Sequence, residues 1–538
     1  MRRTPLARGA FVLSLASLLG CGDGGSTAPV DAGGTGAPCL GAWVCDGRVL
    51  RACTDDHVGE RLKDCGSDGM CSLGRCTSSA CATVEGDKNG FAGCVFYTVE
   101  VNNVASDAEA ATSFLVTNPS VETADVKLER LVGTTWSSAG TATIDAGAAA
   151  RLSIAGLQIK ESGPQDDGGL RLTATQPVTV AQIQSDDGNH DASSSGGTML
   201  LPIQVLGRRH LVMVYPQKQT AAIAATPEST GGAGRLLVVG TEAGTEVSLR
   251  VSANASGVVA GSFPTLPAGE DYPFTLDEGE VFQVWSGGDD QDLSGTEIKA
   301  SKPVAVFAGN ITTTYGRTGI DVQSPDMVHE QMPPTAHWSF KYVAAALPPQ
   351  ARTCDTLLGQ EGLSLWRILA ANDDTQVEFM SPDPSRPVHA NRSMKAGEVI
   401  EMTADVDFVV KANWPLLMTQ GIDCEPSLSL AISADQLLED MRFSVLPAFD
   451  QMVAIVRMRN ELVTLDGVGV DSALFAPAGG GYEVARVLLP ACPPSKLVCT
   501  HRLRGHFGMT LRGMDVLASY ALTAPSWKGC NDPLDCVN

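Results

Sequence analysis

No stretch of this chain is apolar for long enough to cross a bilayer as a helix, which takes about 20 residues. The longest candidate, Phe11 to Leu19, is short. Basic residues are outnumbered: Lys and Arg total 38 against 61 Asp and Glu, a net charge of −23. An acidic surface repels phosphate backbones, so nucleic acid is excluded as an expected partner. Aromatic residues are 5 % and charged residues 18 %, the latter below the usual ~25 %. The sequence carries no G-x-S-x-G elbow, no H-E-x-x-H helix and no Walker loop, so no familiar catalytic constellation is complete. Cys-x₂-Cys pairs are missing, which argues against the commonest structural zinc sites. Amphipathic helices are scarce, Ala434 to Met441 being the one short candidate.

The amino end predicts export. Arg2, Arg3 and Arg8 precede the apolar run, which has the length of a signal-peptide core. The run closes on Leu18-Leu19-Gly20-Cys21, a lipobox. The expected product is cleaved after residue 20 and fatty-acylated on Cys21 with chains such as palmitate. Each buried methylene contributes roughly 0.8 kcal/mol, so two or three chains hold a protein on its membrane. Gly22 follows the cysteine, and the expected location is the outer membrane. Residues 21–38 (CGDGGSTAPVDAGGTGAP) have almost nothing to bury and read as a lipidated, flexible linker.

The chain has 15 cysteines. Without Cys21 an even set remains, as expected of disulfides in an oxidising compartment. Residues 39–81 hold Cys39, Cys45, Cys53, Cys65, Cys71, Cys76 and Cys81 among few large apolar residues. Such a segment needs cross-links in place of a core, and it reads as a stapled stalk. Its connectivity is open, six cysteines allowing 15 pairings. Proximity suggests Cys81 with Cys94, Cys354 with Cys424, Cys492 with Cys499, and Cys530 with Cys536 closing a tail over 523–538.

From Cys94 onward the pattern is strands. Period-two alternation runs through Val95-Phe96-Tyr97-Thr98-Val99, Ala124-Asp125-Val126-Lys127-Leu128 and Thr245-Glu246-Val247-Ser248-Leu249. A long repeat organises them. Gln176-Pro177-Val178-Thr179-Val180 recurs as Lys302-Pro303-Val304-Ala305-Val306 and as Trp414-Pro415-Leu416-Leu417-Met418, at intervals of 126 and 112 residues. Gly279-Glu280-Val281-Phe282 and Gly397-Glu398-Val399-Ile400 precede the second and third copies. The first copy lacks that pair, and a fourth, partial copy is expected within Val463 to Ala521. Proline cannot donate to a ladder, so each is expected to open a strand or lie on an edge. A unit of about 110 residues with about seven strands has the size of a β-sandwich. The expected fold is therefore all-β: tandem antiparallel β-sandwich-like repeats after a small disulfide-rich module. A propeller-like ring of large blades is the alternative.

Several strings resemble a known family. Gly93-Cys94-Val95-Phe96-Tyr97, Phe114-Leu115-Val116-Thr117-Asn118-Pro119, Asp292-Leu293-Ser294-Gly295-Thr296 leading to Ser301-Lys302-Pro303-Val304-Ala305-Val306-Phe307-Ala308-Gly309, His329-Glu330-Gln331-Met332-Pro333-Pro334 and Ala518-Ser519-Tyr520-Ala521 look like the IgGFc-binding protein N-terminal-like domain, over residues 93–522. The stalk around Cys45-Asp46-Gly47-Arg48 resembles a cysteine module of exported proteins in myxobacteria-like organisms. The resemblance implies extracellular binding or adhesion, with a protein or glycan as ligand. It does not imply immunoglobulin binding, since fold does not fix function. Asn413-Trp414-Pro415 departs from the Lys-Pro-Val-Ala-Val string and puts any shared ligand site in the third copy in question.

The expected function is thus a non-enzymatic surface lipoprotein; its rivals are a structural envelope component and a metal-dependent extracellular hydrolase. The rival enzyme would use Asp321, Asp326, His329 and Glu330. Adjacent residues on an extended chain point to opposite faces, which favours a structural histidine there. No cofactor is required, but two loops have the composition of calcium sites: Asp186, Asp187, Asn189 and Asp191, and the string Asp289-Asp290-Gln291-Asp292. Solvated hairpin tips are the plainer reading of both. Trp285, Trp338, Trp366 and Trp414 are candidates for stacking on sugars, though a lone tryptophan in a strand usually packs inward.

Overall fold

Four copies of one sandwich, not three and a fragment, make up the body of the chain. The computed structural model describes residues 43–526, apart from 47, 55–56, 67–68, 88–89, 102–110, 157, 160–161, 185–194, 217–231, 253–254, 257–262, 287–290, 314–325, 348–363, 423–425, 448 and 515–518. Each unit centres on one long strand: Gly169–Gln184, Glu297–Thr313, Phe408–Ile422 and Cys499–Met514. The first half of this strand lies in one sheet and the second half in another. In the first unit, residues 169–174 lie between Gly93–Val99 and Ala124–Val132, the latter continued by Thr135–Ile144. Residues 179–184 lie between Thr112–Thr117, continued by Ala149–Ile154, and Gly196–Met199. The other three units repeat this pairing. A strand that bends from one sheet into the other is how a sandwich makes a corner.

The repeated prolines sit at that bend. Pro177, Pro303 and Pro415 do not open strands; each lies inside a continuous one, where the partner strand's register jumps. The missing N–H costs nothing at a bulge, because the ladder is already broken there. The neighbouring strand would still lose a bond, and one side chain makes it up in each of these units. Thr175 Oγ1, Ser301 Oγ and Asn413 Oδ1 accept the backbone N–H groups of Asp125, Glu246 and Gln376 at 2.9, 2.9 and 2.6 Å. The fourth unit bends at Gly505 instead, whose φ of +130° a side chain rarely adopts.

The Gly-Glu pair also has a fixed place. Gly279 and Gly397 have φ of +86° and +78° in the turn before the strand that follows. The first unit has the same turn at Gly147, φ +70°, with Ala148 in place of the glutamate. Gly147, Gly279 and Gly397 each donate to the carbonyl that ends a facing strand, Asn118, Gly240 and Ala370. The first copy therefore keeps the backbone device and drops only the side chain. The helix candidate at Ala434 to Met441 is a turn running into a strand, Leu438–Val445. Its registry on Cys499–Met514 decides its conformation, which is tertiary pairing overriding a weak local periodicity.

The one α-helix among the described residues, Ser79–Asp87, links stalk and ring. Ser78 Oγ accepts the Cys81 N–H at 3.2 Å as its cap and donates to the Thr175 carbonyl at 2.8 Å. Cys81–Cys94 ties the helix to the first unit. Within the stalk the pairs are Cys45–Cys71 and Cys65–Cys76. Cys492–Cys499 closes the loop before the last bent strand. Cys21, Cys39, Cys354, Cys424, Cys530, Cys536 and the side chain of Cys53 lie outside the described residues. The chain enters and leaves the ring at one point, where Gly90 N donates to the Ser526 carbonyl at 2.9 Å.

Candidate functional site

The last strand of each unit gathers at a common axis. Gly196–Met199, Asp326–Gln331, Ser427–Leu430 and Ser519–Ala524 touch in a closed cycle, the first strand against the second and fourth, the third against the same two, and the first also meets the third across the axis. They run in the same direction. At their starts, Ser195 N donates to Asp326 Oδ1 at 2.6 Å and Ser195 Oγ to the Ser519 carbonyl at 2.9 Å, while the Ser427 and Ser519 hydroxyls bond each other. Towards their ends, Thr198 Oγ1 donates to Glu330 Oε1 at 2.6 Å, Leu201 N to Gln331 Oε1 at 2.7 Å, and Ser429 meets Thr523 at 3.1 Å. These strands are short, and small hydroxyl side chains let their backbones approach.

Between neighbouring units, an arginine crosses each boundary. Arg171 reaches Glu278 at 2.7 Å while lying over the Trp136 ring at 4.3 Å. Arg367 reaches back from the third unit to Asp292 at 2.6 Å and Ser294 Oγ at 2.9 Å. Arg486 donates to the Ala346 carbonyl at 2.6 Å and pairs with Asp407. Arg442 returns to Gly147 of the first unit, beside a bond between Thr117 and Ser444. The sandwiches of the first expectation are therefore joined into the ring of its alternative.

The ring has two unlike ends. The bent strands finish at Gln184, Thr313, Ile422 and Met514, and the axial strands begin beside them. We call this the loop end. At the other end lie the bends, the turns at Gly147, Gly279 and Gly397, and the helix with its Cys81–Cys94 bridge. The stalk thus joins the ring opposite the loop end.

The residues singled out from sequence are distributed unevenly over this frame. Asp186, Asp187, Asn189, Asp191, Asp289, Asp290 and Asp321 lie outside the described residues. Asp292 is committed to Arg367 and to the backbone N–H of Ser294 at 2.8 Å. Asp326, His329 and Glu330 are all buried on one axial strand. The expectation that His329 and Glu330 face opposite ways holds: Glu330 faces the axis, and the His329 ring lies 5.9 Å from Phe307 inside the second sandwich. Neither ring nitrogen of His329 has a hydrogen-bond partner among the described residues. Burial, with the Arg235 charge, pushes the imidazole down to about 3. Burial pushes the Glu330 carboxyl well up, against the Thr198, Leu430 and Gln331 donors. Among the described residues, no group of three or more His, Cys, Asp or Glu side chains is placed to hold a metal.

Trp285, Trp338 and Trp366 are core residues; Trp414, at the third bend, is 36 % exposed. His501 and His506 share the last bent strand but serve separate carboxylates, Asp466 at 2.8 Å and Glu461 at 3.1 Å. Sequence reasoning missed the boundary arginines. Only their scarcity was a signal: in a chain poor in charge, a buried arginine needs a partner.

Residues 196–513 match the family model described as IgGFc binding protein. The match begins at the first axial strand and ends one residue short of the last bent strand's finish. A human protein, "IgGFc-binding protein", is 28 % identical over 225 residues, covering 42 % of this chain and 3 % of that protein. The chain therefore corresponds to a small part of that relative. Among solved structures, an anti-sigma factor domain-containing protein gives a TM-score of 0.12 at 8 % identity, covering 79 % of this chain and 99 % of that one. A tetra-tandem repeat from the extending region of a large adhesion protein gives 0.09 at 11 %, covering 81 % and 99 %. Neither score carries a statement about fold. The extent of the family match, more than half the chain and reaching from the axis of the first unit through all of the next two, makes this chain a member of the IgGFc-binding protein family.

Proposed function

We propose that the chain is an exported, lipid-anchored binding protein that offers the loop end of its ring to an extracellular protein or glycan. The observation that carries this is the polarity of the ring. A stalk joined at the bend end, and tethered through Cys21, turns the opposite end away from the membrane. Connections between strands can vary without disturbing the core they join, and binding residues concentrate there. Membership of a family of binding proteins supports a ligand-holding role, and the acidic net charge favours partners without phosphate backbones. The human relative's name specifies IgG Fc, which makes Fc one probe among several.

The test is a screen of glycans, envelope extracts and Fc against a soluble form beginning at Gly22. Replacing residues 217–231 or 314–325 with Gly-Ser segments should abolish capture while leaving melting near the wild-type value. Trp414→Ala and Val121→Ser, at the bend end, should not affect it. Capture that survives both replacements but fails in Trp414→Ala would place the ligand at the wrong end of the ring. Mass spectrometry of the membrane-extracted protein should find Cys21 as the acylated first residue.

A further inference from the structure

We propose that Glu330 is kept as an uncharged carboxylic acid where the axial strands of three units meet, so that opening of the ring, which frees the group to ionise, becomes easier as pH rises. Glu330 belongs to the second unit, receives the Thr198 hydroxyl of the first at 2.6 Å, and meets the Leu430 backbone of the third. It is 1 % exposed. A carboxylate buried this deeply needs a cation or several donors, because taking an ion out of water costs several kcal/mol. Among the described residues no cation pairs with it. On its own strand the titratable neighbours are Asp326, on the same face, and His329, on the other. The axial strands of the first and third units bring Thr198, Ser427 and Ser429, and that of the fourth brings Ser519 and Thr523, none charged. The buried guanidinium of Arg235 acts on His329 instead. Arg512, opposite Ala521 on the fourth bent strand, is buried but is not among the groups acting on Glu330. The second oxygen of Glu330, Oε2, has no hydrogen-bond partner among the described residues. The Thr198 hydroxyl and the Leu430 and Gln331 backbones offset only part of the cost of burial, and a proton on the group removes the charge they leave uncompensated.

The sign follows from linkage. A carboxyl whose folded value lies above its ordinary 4.5 leaves the folded state most favoured in acid. That advantage is lost as pH rises from 4.5 towards the folded value. Each pH unit in that window multiplies the opening equilibrium by up to about tenfold. Glu330→Gln keeps the shape and the acceptor for Thr198 without the charge.

The experiment compares hydrogen exchange in the four axial strands, corrected for intrinsic rate, between pH 5 and pH 9, in the full chain in detergent micelles and in Glu330→Gln. The proposal expects opening of the wild-type axis to rise at least tenfold across this range, with the variant's rise clearly smaller. Equal rises would overturn it. Should the variant fail to fold, the wild-type protein alone decides the matter. Its infrared difference spectrum between pH 7 and pH 10 should show a protonated carboxyl band disappearing, whereas a carboxylate already ionised at pH 7 would refute the idea.

Discussion

Acid should weaken this protein through His329 in particular. The ring is fully buried, lies against Phe307, and is held down to about 3, against an ordinary value of 6.5, by burial and then by the Arg235 charge. A histidine depressed in the folded state contributes its full stability above 6.5 and loses it as pH falls towards the folded value. At pH 5 the unfolded chain binds a proton there that the folded chain refuses. A gap of about 1.5 pH units at 1.36 kcal/mol per unit amounts to roughly 2 kcal/mol. His329→Met keeps an apolar side chain of similar reach against Phe307 and removes the titration. Urea midpoints at pH 7.5, 6 and 5 should show the wild-type protein losing about 2 kcal/mol more than the variant over that span. The variant keeps part of the acid loss, since His210 is also buried and held down to about 4. If both proteins weaken in parallel, His329 is not shielded as its burial implies.

Three further substitutions address the boundaries and the stalk. Gly279→Ala combines a φ of +86° with a new Cβ 2.7 Å from the Trp136 ring; a loss of about 1–3 kcal/mol in thermal unfolding is expected, and wild-type melting would mean the first two units meet more loosely. Arg367→Ala leaves Asp292 and Ser294 without their partner at the second boundary; it should cost about 2–4 kcal/mol, checked by urea denaturation. Cys81→Ser with Cys94→Ser should expose the helix Ser79–Asp87 to limited proteolysis while melting of the ring changes little.

Local signals in the sequence carried the architecture a long way. The period-two runs place the strands, and the x-Pro strings mark the same point in three units. They misled about what the proline does, because nothing local distinguishes a strand that begins at Pro303 from one that bends there. The bend is visible only in the pairing of Val247 to Arg250 with residues before Pro303, and of Val239 with Ala305 after it. The fourth unit was half hidden because Gly505 and His506 stand where the others have x-Pro. Cys81–Cys94 and Cys492–Cys499 were legible because sequence neighbours can reach each other without help from the fold. The axis was not. Thr198, Glu330, Ser429 and Thr523 meet only once four distant segments are in register, and no spacing announces that.

The bond between Gly90 and Ser526 makes the ring a loop of polypeptide with a single doorway. A module whose two ends leave side by side can be spliced into a surface turn of a host protein, or have unrelated segments grafted at either terminus, with little distortion of its own body. It also suits circular permutation: joining residue 90 to residue 526 through a short linker and cutting elsewhere should preserve the sandwiches. Such a building block is free to serve alone on a short stalk or as one bead in a far longer string.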